Sequence, residues 1–330
     1  MRENHPDIKF GKTGVLLINL GTPDSTNWWD IRRYLKEFLS DTRVIEVNPV
    51  IWQIILNLFI LNFRPSKTAQ AYKKIWLKET NESPLRYYTR NQAEKLQQEL
   101  VGENIIVNFA MRYGNPSIKS KLNELKNNGC ENIIILPLYP QYAAATTATV
   151  CDEVYRTLMK MRWQPSLQIV PHYESEPSYV SALVKSIEKK IETISWKPDL
   201  IIASYHGIPK KYFDKGDPYH CYCHKTTRLI KEKFSKIEIQ TTFQSRFGPQ
   251  EWLTPYTDKT LESLSAKGIK NLLVICPGFA SDCVETLEEI NILGRETFLK
   301  NGGEKFDFIP CLNDSSEHIK LFENLVKKYL

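Results

Sequence analysis

Six short aliphatic runs constrain the fold of this chain more than any other feature: GVLLINL (14–20), NIIVNFAM (104–111), NIIILPLY (132–139), LIIASY (200–205), EIQTTFQ (238–244) and NLLVICP (271–277). Each is followed by a Gly, Pro or polar turn and then a helical pattern, the sequence form of repeated βα units. Such strands read as parallel and buried on both faces. Three lie in the first half and three answer them in the second. The segments 137–160 and 276–300 repeat one layout, in which a strand leads through a polar turn into a long helix. The expected fold is therefore α/β, with two similar doubly wound lobes and a cleft between them.

The expected division runs 1–165 for the first lobe and 166–312 for the second. A helix at 313–330 returns to complete the first, and LQIVPHYESEP (167–177) marks the crossing. Thr89 with Gln92 reads as a capping box opening a helix that Gly102 closes, and Asn115-Pro116 opens another that Gly129 ends.

A chain of 330 residues, 42% of them hydrophobic, buries a substantial core and is not disordered. Its net charge of +6 is spread over helical stretches such as KSIEKKIE and KEKFSKIE, which argues for solvated faces and against a nucleic-acid groove. The start, MRENHPDIKFGKTG, has no apolar export signal, so a cytoplasmic location is expected. Seven scattered cysteines read as reduced thiols. The most apolar segment, 49–63 (PVIWQIILNLFILNF), is too short and too interrupted to span a bilayer. Two readings stand for it: a buried helix, or an apolar lip at a pocket mouth that touches the inner face of a membrane peripherally.

In open α/β sheets the ligand crevice lies beyond the carboxyl ends of the strands. Those ends carry no GxGxxG, no Walker loop and no GxSxG elbow. They carry aromatic surface, one histidine and several carboxylates, which suits a flat apolar ligand that must meet a metal. His206 follows LIIASY directly and precedes Gly207 and Pro209, so its ring is expected to project from a sharp turn. Asp282, Glu285 and Glu289, at i, i+3 and i+7, are expected to line one face of a helix that starts after Gly278, as a row for metal entry or proton exit. His220, Cys221, Cys223 and His224 in HCYCHK lie too close in sequence for an ordinary zinc module and read as a surface loop.

With these residues in view, the chain resembles the ferrochelatase family from Gly14 to about Asn324. The matching stretches are LLINLGTPDS, YLKEFLSD, ESPLRYYTRNQ, MRYGNPS, LPLYPQYAAATT, SYHGIPKKYFDKGDPY, TTFQSRFGPQEWLTPYTD and CPGFASDCVETLEE. The resemblance implies two Rossmann-like lobes of the class II chelatase type and insertion of ferrous iron into protoporphyrin IX. It puts the family's catalytic histidine on His206 and its catalytic glutamate on Glu285, both as metal-site residues. It puts porphyrin contacts on Leu20, Tyr72, Ser83, Arg112, Tyr113 and Trp252.

Two departures stand out. Animal and fungal relatives carry histidine where this chain has Cys283, and the C-terminal extension that helps bind an iron–sulfur cluster in animal members is missing, with Ala144 at their upstream cysteine. No such cluster and no permanently bound cofactor is expected; iron is substrate. The partners implied are porphyrin and ferrous iron, in a monomer or homodimer. Rival readings are a chelatase of the same fold acting on coproporphyrin or sirohydrochlorin, and a non-catalytic haem or solute carrier.

Overall fold

The computed structural model describes residues 9–100 and 104–330. Eight strands form two parallel four-stranded sheets. The first holds β1 (Lys12–Thr22), β2 (Ile105–Gly114), β3 (Cys130–Pro137) and β4 (Ser166–Ile169) in the order β2-β1-β3-β4. The second holds β5 (Leu200–His206), β6 (Ile239–Gln244), β7 (Asn271–Ile275) and β8 (Lys305–Ile309) in the order β6-β5-β7-β8. The two orders are the same permutation, so the lobes repeat one topology.

All six expected strands are present. The two further strands, β4 and β8, are sheet edges of four and five residues that mix polar and apolar side chains. A strand paired on one side only needs no continuous apolar run, which is why neither stood out. Because β4 pairs with β3, the first sheet extends to Ile169, and the crossing between sheets falls later than the expected boundary at 165/166.

Successive side chains of a strand point to opposite faces. Val15 and Leu17 accordingly enter a central core while Leu16 and Ile18 enter an outer one. The central core also takes Ala203, Tyr205 and Phe243 from the second sheet, with Leu96, Leu183, Ile230 and Phe322 from helices Pro84–Glu99, Pro177–Thr193, Tyr219–Lys233 and Ser316–Lys327. One continuous apolar layer therefore joins the two sheets.

Several local expectations change. Helix Pro84–Glu99 begins at Ser83, whose Oγ accepts from the Arg86 N–H; Thr89 and Gln92 lie inside it and cap nothing. Both are buried and look elsewhere for partners: Thr89 Oγ1 donates to the Leu85 carbonyl, and Gln92 Nε2 donates across to Ala280, Ser281 and Asn313. Gly102, assigned as that helix's stop, falls outside the described residues. Helix Ile118–Asn127 is capped by Ser117 and followed by Gly129 at φ +95°.

The apolar segment 49–63 is not a buried helix. Only Leu56 and Leu61 are buried, over Ile31, Tyr34, Leu35 and Tyr72. Val50, Ile51, Ile54, Leu58, Phe59 and Phe63 face solvent. Among the described residues, no helix is long and apolar enough to cross a membrane.

Candidate active site

β5 ends at His206, which pairs in register with Gln244 at the end of β6. β7 lies on the other side of β5, and the chain leaving it turns through Pro277–Cys283 into a π-helix, Glu285–Gly294. Strand order alone thus brings the histidine and the glutamates to one end of one sheet.

Nδ1 of His206 lies 2.6 Å from the Gly207 carbonyl oxygen. A carbonyl only accepts, so Nδ1 carries the hydrogen and Nε2 presents its lone pair. The indole of Trp252 stands 6.5 Å from the imidazole, ring centre to ring centre, and its Nε1 donates to the Phe247 carbonyl at 2.9 Å. Gly207 has to be glycine for this approach, since a Cβ there would sit 3.0 Å from the Gln244 carbonyl oxygen and 3.2 Å from the Trp252 ring.

Glu289 accepts from the Ser245 N–H at 2.7 Å, from the Ser245 hydroxyl, and from Gln244 Nε2 at 3.2 Å. Burial pushes its carboxyl above the usual carboxylate range; the Ser245 hydrogen bond and the neighbouring His206 oppose this, while Glu285 adds to it. His206, Glu285 and Glu289 therefore act on one another electrostatically. Glu285 also faces the opposite lobe: burial raises the hydroxyls of Tyr34 and Tyr72, and the Glu285 carboxylate raises them further.

Asp282 does not join that row. The helix starts at Glu285, with a wider turn than an α-helix, so the i, i+3, i+7 reasoning does not reach back to 282. Asp282 is 3% exposed, and its carboxylate accepts from Asn313 Nδ2, Thr286 Oγ1 and the Cys311 N–H. Burial nonetheless raises its pKa. Cys283 is buried beside Leu85 and Met111, with its thiol pushed up by burial and by Glu285.

The six positions read as porphyrin contacts separate into two groups. Leu20, Tyr72, Tyr113 and Trp252 are the apolar group: Leu20 and Trp252 are partly exposed, Trp252 flanking His206, whereas Tyr72 and Tyr113 are buried in the cluster beneath the exposed apolar helix and the Tyr113 hydroxyl donates to Asp41 at 2.9 Å. Ser83 and Arg112 have their polar atoms engaged. Ser83 is the buried cap described above. Arg112 donates to Asp41 at 2.5 Å and to Thr149, with its guanidinium 4.4 Å from the Tyr113 ring centre. Burial pushes the Asp41 carboxyl up, but the Thr149 hydroxyl, the Arg43 N–H and Arg112 outweigh it and leave Asp41 below its ordinary value.

Arg64 escaped the sequence reading. It is half-buried, its guanidinium lies 4.6 Å from the Phe247 ring centre, and its Nη1 has no hydrogen-bond partner. Burial lowers its pKa, while Glu285 and Tyr34 raise it, so it looks into the same space. The signal was present: Arg64 is the first charged residue after Glu46. Thr22 Oγ1 and the Tyr139 hydroxyl are buried without partners, and Glu285 adds to the burial-driven rise of the Tyr139 pKa. Buried polar atoms without protein partners call for an explanation, and a bound ligand or water is one.

HCYCHK lies in helix Tyr219–Lys233 and not in a surface loop. Cys223 is buried and Cys221 exposed, so the thiols point apart. Among the described residues, no three His, Cys, Asp or Glu side chains converge as a metal site.

Comparison with known proteins identifies the family. The chain is 56% identical over 329 residues to the ferrochelatase of Allorhizobium ampelinum, covering 99% of this chain and 96% of that protein. It is 54% identical over 330 residues to the ferrochelatase of Agrobacterium fabrum, covering 99% and 96%. Among solved structures, SirB from Bacillus subtilis with Fe3+ superposes with a TM-score of 0.58 at 10% identity, covering 96% of this chain and 95% of that one, a likeness of fold. The ferrochelatase family model matches residues 12–330, and the chain belongs to the ferrochelatase family.

Proposed function

We propose that this chain inserts ferrous iron into protoporphyrin IX to give protohaem and two protons, with His206 and Glu285 at the metal. What supports the assignment is that Glu289, bonded to Ser245 beside the end of the His206 strand, feels both His206 and Glu285, while the Nε2 of His206 presents its lone pair.

Metallation requires two inner N–H protons to leave while iron sheds water. His206 Nε2 accepts a pyrrole proton or ligates iron, and Glu285 does the complementary task. Glu289, one turn further along the π-helix, relays charge between Glu285 and the Ser245 end of the site. Trp252 and Leu20, backed by the buried rings of Tyr72 and Tyr113, offer the apolar walls against which a bent macrocycle is held, so that binding energy favours the transition-state shape. Arg64, whose Nη1 has no protein partner, meets a propionate carboxylate.

The exposed apolar residues of segment 49–63 favour the dicarboxylate protoporphyrin over the more polar tetracarboxylate coproporphyrin. The exposed face of Val50, Ile51, Ile54, Leu58, Phe59 and Phe63 suits peripheral contact with a membrane, where an apolar porphyrin is delivered. No iron–sulfur cluster is assigned, since Ala144 offers no thiolate.

The test is anaerobic incubation with ferrous iron and each porphyrin in turn, followed by absorption. Faster formation of protohaem supports the assignment. Faster metallation of coproporphyrin would reassign the substrate, and no metallation of either would remove the enzyme reading.

A further inference from the structure

The side chain of Gln244 stands between the two catalytic groups. It is 3% exposed, and its two ends have unlike partners. Oε1 accepts from the Ser204 hydroxyl at 2.7 Å and from the Cys276 thiol at 3.7 Å. Ser204 in turn lies 3.0 Å from Thr257 Oγ1, which donates to Thr242 Oγ1. Hydroxyls and a thiol supply the hydrogens on that side, so the amide has one orientation and Nε2 faces the π-helix. There it donates to the Glu285 carbonyl at 2.8 Å and to Glu289 Oε2 at 3.2 Å. The main chain of the same residue holds the other partner: its carbonyl accepts the Gly207 N–H at 2.8 Å, so the peptide after His206 hangs on Gln244.

Ser245 completes the grip. At φ +65° it is in the left-handed region, where a side chain is disfavoured, so the surroundings must hold it there. Glu289 does so by accepting both its N–H and its hydroxyl. A π-helix is itself an uncommon form that needs support from neighbours. The strand end bearing His206 and the helix bearing Glu285 and Glu289 are thus joined through two consecutive residues, Gln244 and Ser245.

We infer that Gln244 and Ser245 are positioning residues that set the separation of His206 and Glu285 across the porphyrin site. The inference rests on the assignment of those two residues as the metal pair. Its chemical content is that a misplaced pair still binds porphyrin, whose walls lie elsewhere, but metallates it slowly.

The experiment compares Gln244→Leu, Gln244→Glu and Ser245→Ala with wild type, measuring kcat, the KM for protoporphyrin and porphyrin binding by fluorescence. Gln244→Leu removes both donated hydrogen bonds, and kcat should fall by about 10²-fold, the cost of displacing a reacting group by about 1 Å, while KM stays within about threefold. Ser245→Ala keeps the N–H contact and should show a smaller fall of the same kind. Gln244→Glu places an ionised carboxyl against Glu285 and Glu289, with His206 and Ser204 also facing it. Ionised, it keeps the side chain's size but offers no hydrogen to the π-helix, so kcat should fall with KM kept, whereas a merely structural role would lower stability without that split between kcat and KM.

Wild-type kcat in both Gln244 variants, or a rise in KM alone, would overturn the inference. His206→Ala and Glu285→Gln, assayed alongside, separate the two failures. If they lose turnover while the Gln244 variants keep it, the positioning role is wrong; if they too keep it, the metal pair itself is wrong. Should Gln244→Leu not fold, Ser245→Ala and the split between kcat and KM in Gln244→Glu decide.

Discussion

Lowering the pH from 7 to 5 should destabilise this protein through one buried imidazole. His318, in the C-terminal helix, is 0% exposed; its Nδ1 lies 2.7 Å from the Asn313 carbonyl, and its Nε2 has no partner. Burial pushes its pKa down from 6.5 to about 4, and the bond to Asn313 opposes that only in part. The folded state therefore holds the ring neutral where the unfolded chain protonates it. Stability from this residue is complete above about 6.5, falls as the pH drops, and is fully lost below about 4. At 1.36 kcal/mol per unit the full difference is about 3 kcal/mol, of which about 2 kcal/mol has gone at pH 5.

Other groups titrate in this range with both signs, so the measurement is a difference. Urea unfolding of wild type and His318→Gln is compared at pH 7 and pH 5. The variant cannot titrate and should lose about 2 kcal/mol less on acidification, whatever its stability at pH 7. The consequence reaches the active site, because Asn313 also holds Asp282 and Gln92 at the turn leading into the π-helix. Equal losses in the two proteins would refute the neutral buried imidazole.

His206→Ala and Glu285→Gln should each lower turnover by about 10²–10⁴-fold while porphyrin still binds, checked by steady-state kinetics and fluorescence. Arg64→Met removes a charge-assisted contact worth about 1.5–3 kcal/mol, so the KM for protoporphyrin should rise by at least about tenfold with thermal stability kept. Ile54→Glu or Leu58→Glu should fold normally and weaken sedimentation with phospholipid vesicles; unchanged sedimentation would remove the membrane contact. Acid-labile sulfide in the purified protein should be absent, and a stoichiometric amount would restore a cluster.

Much of this protein is legible in its sequence because parallel strands buried on both faces must be continuously apolar. The four central strands, β1, β3, β5 and β7, therefore stand out together with the apolar edge strands β2 and β6, and the ends of β5 and β7 point to His206 and Glu285. The short edge strands β4 and β8 mix polar and apolar residues, so they appeared only when pairing was seen. Thr89 and Gln92 satisfy a local capping pattern, yet their hydrogen bonds go to distant partners, which no local rule anticipates.

The spacing of Asp282, Glu285 and Glu289 assumed 3.6 residues per turn. The wider helix starting at Glu285, and the claim of Asn313 on Asp282, separate a buried structural carboxylate from two that face the site. Residue types and their positions at strand ends are properties of the chain and could be read directly. Hydrogen bonds such as those of Gln244, Ser245 and Arg112 join positions tens of residues apart, and only the packed structure decides which donor meets which acceptor.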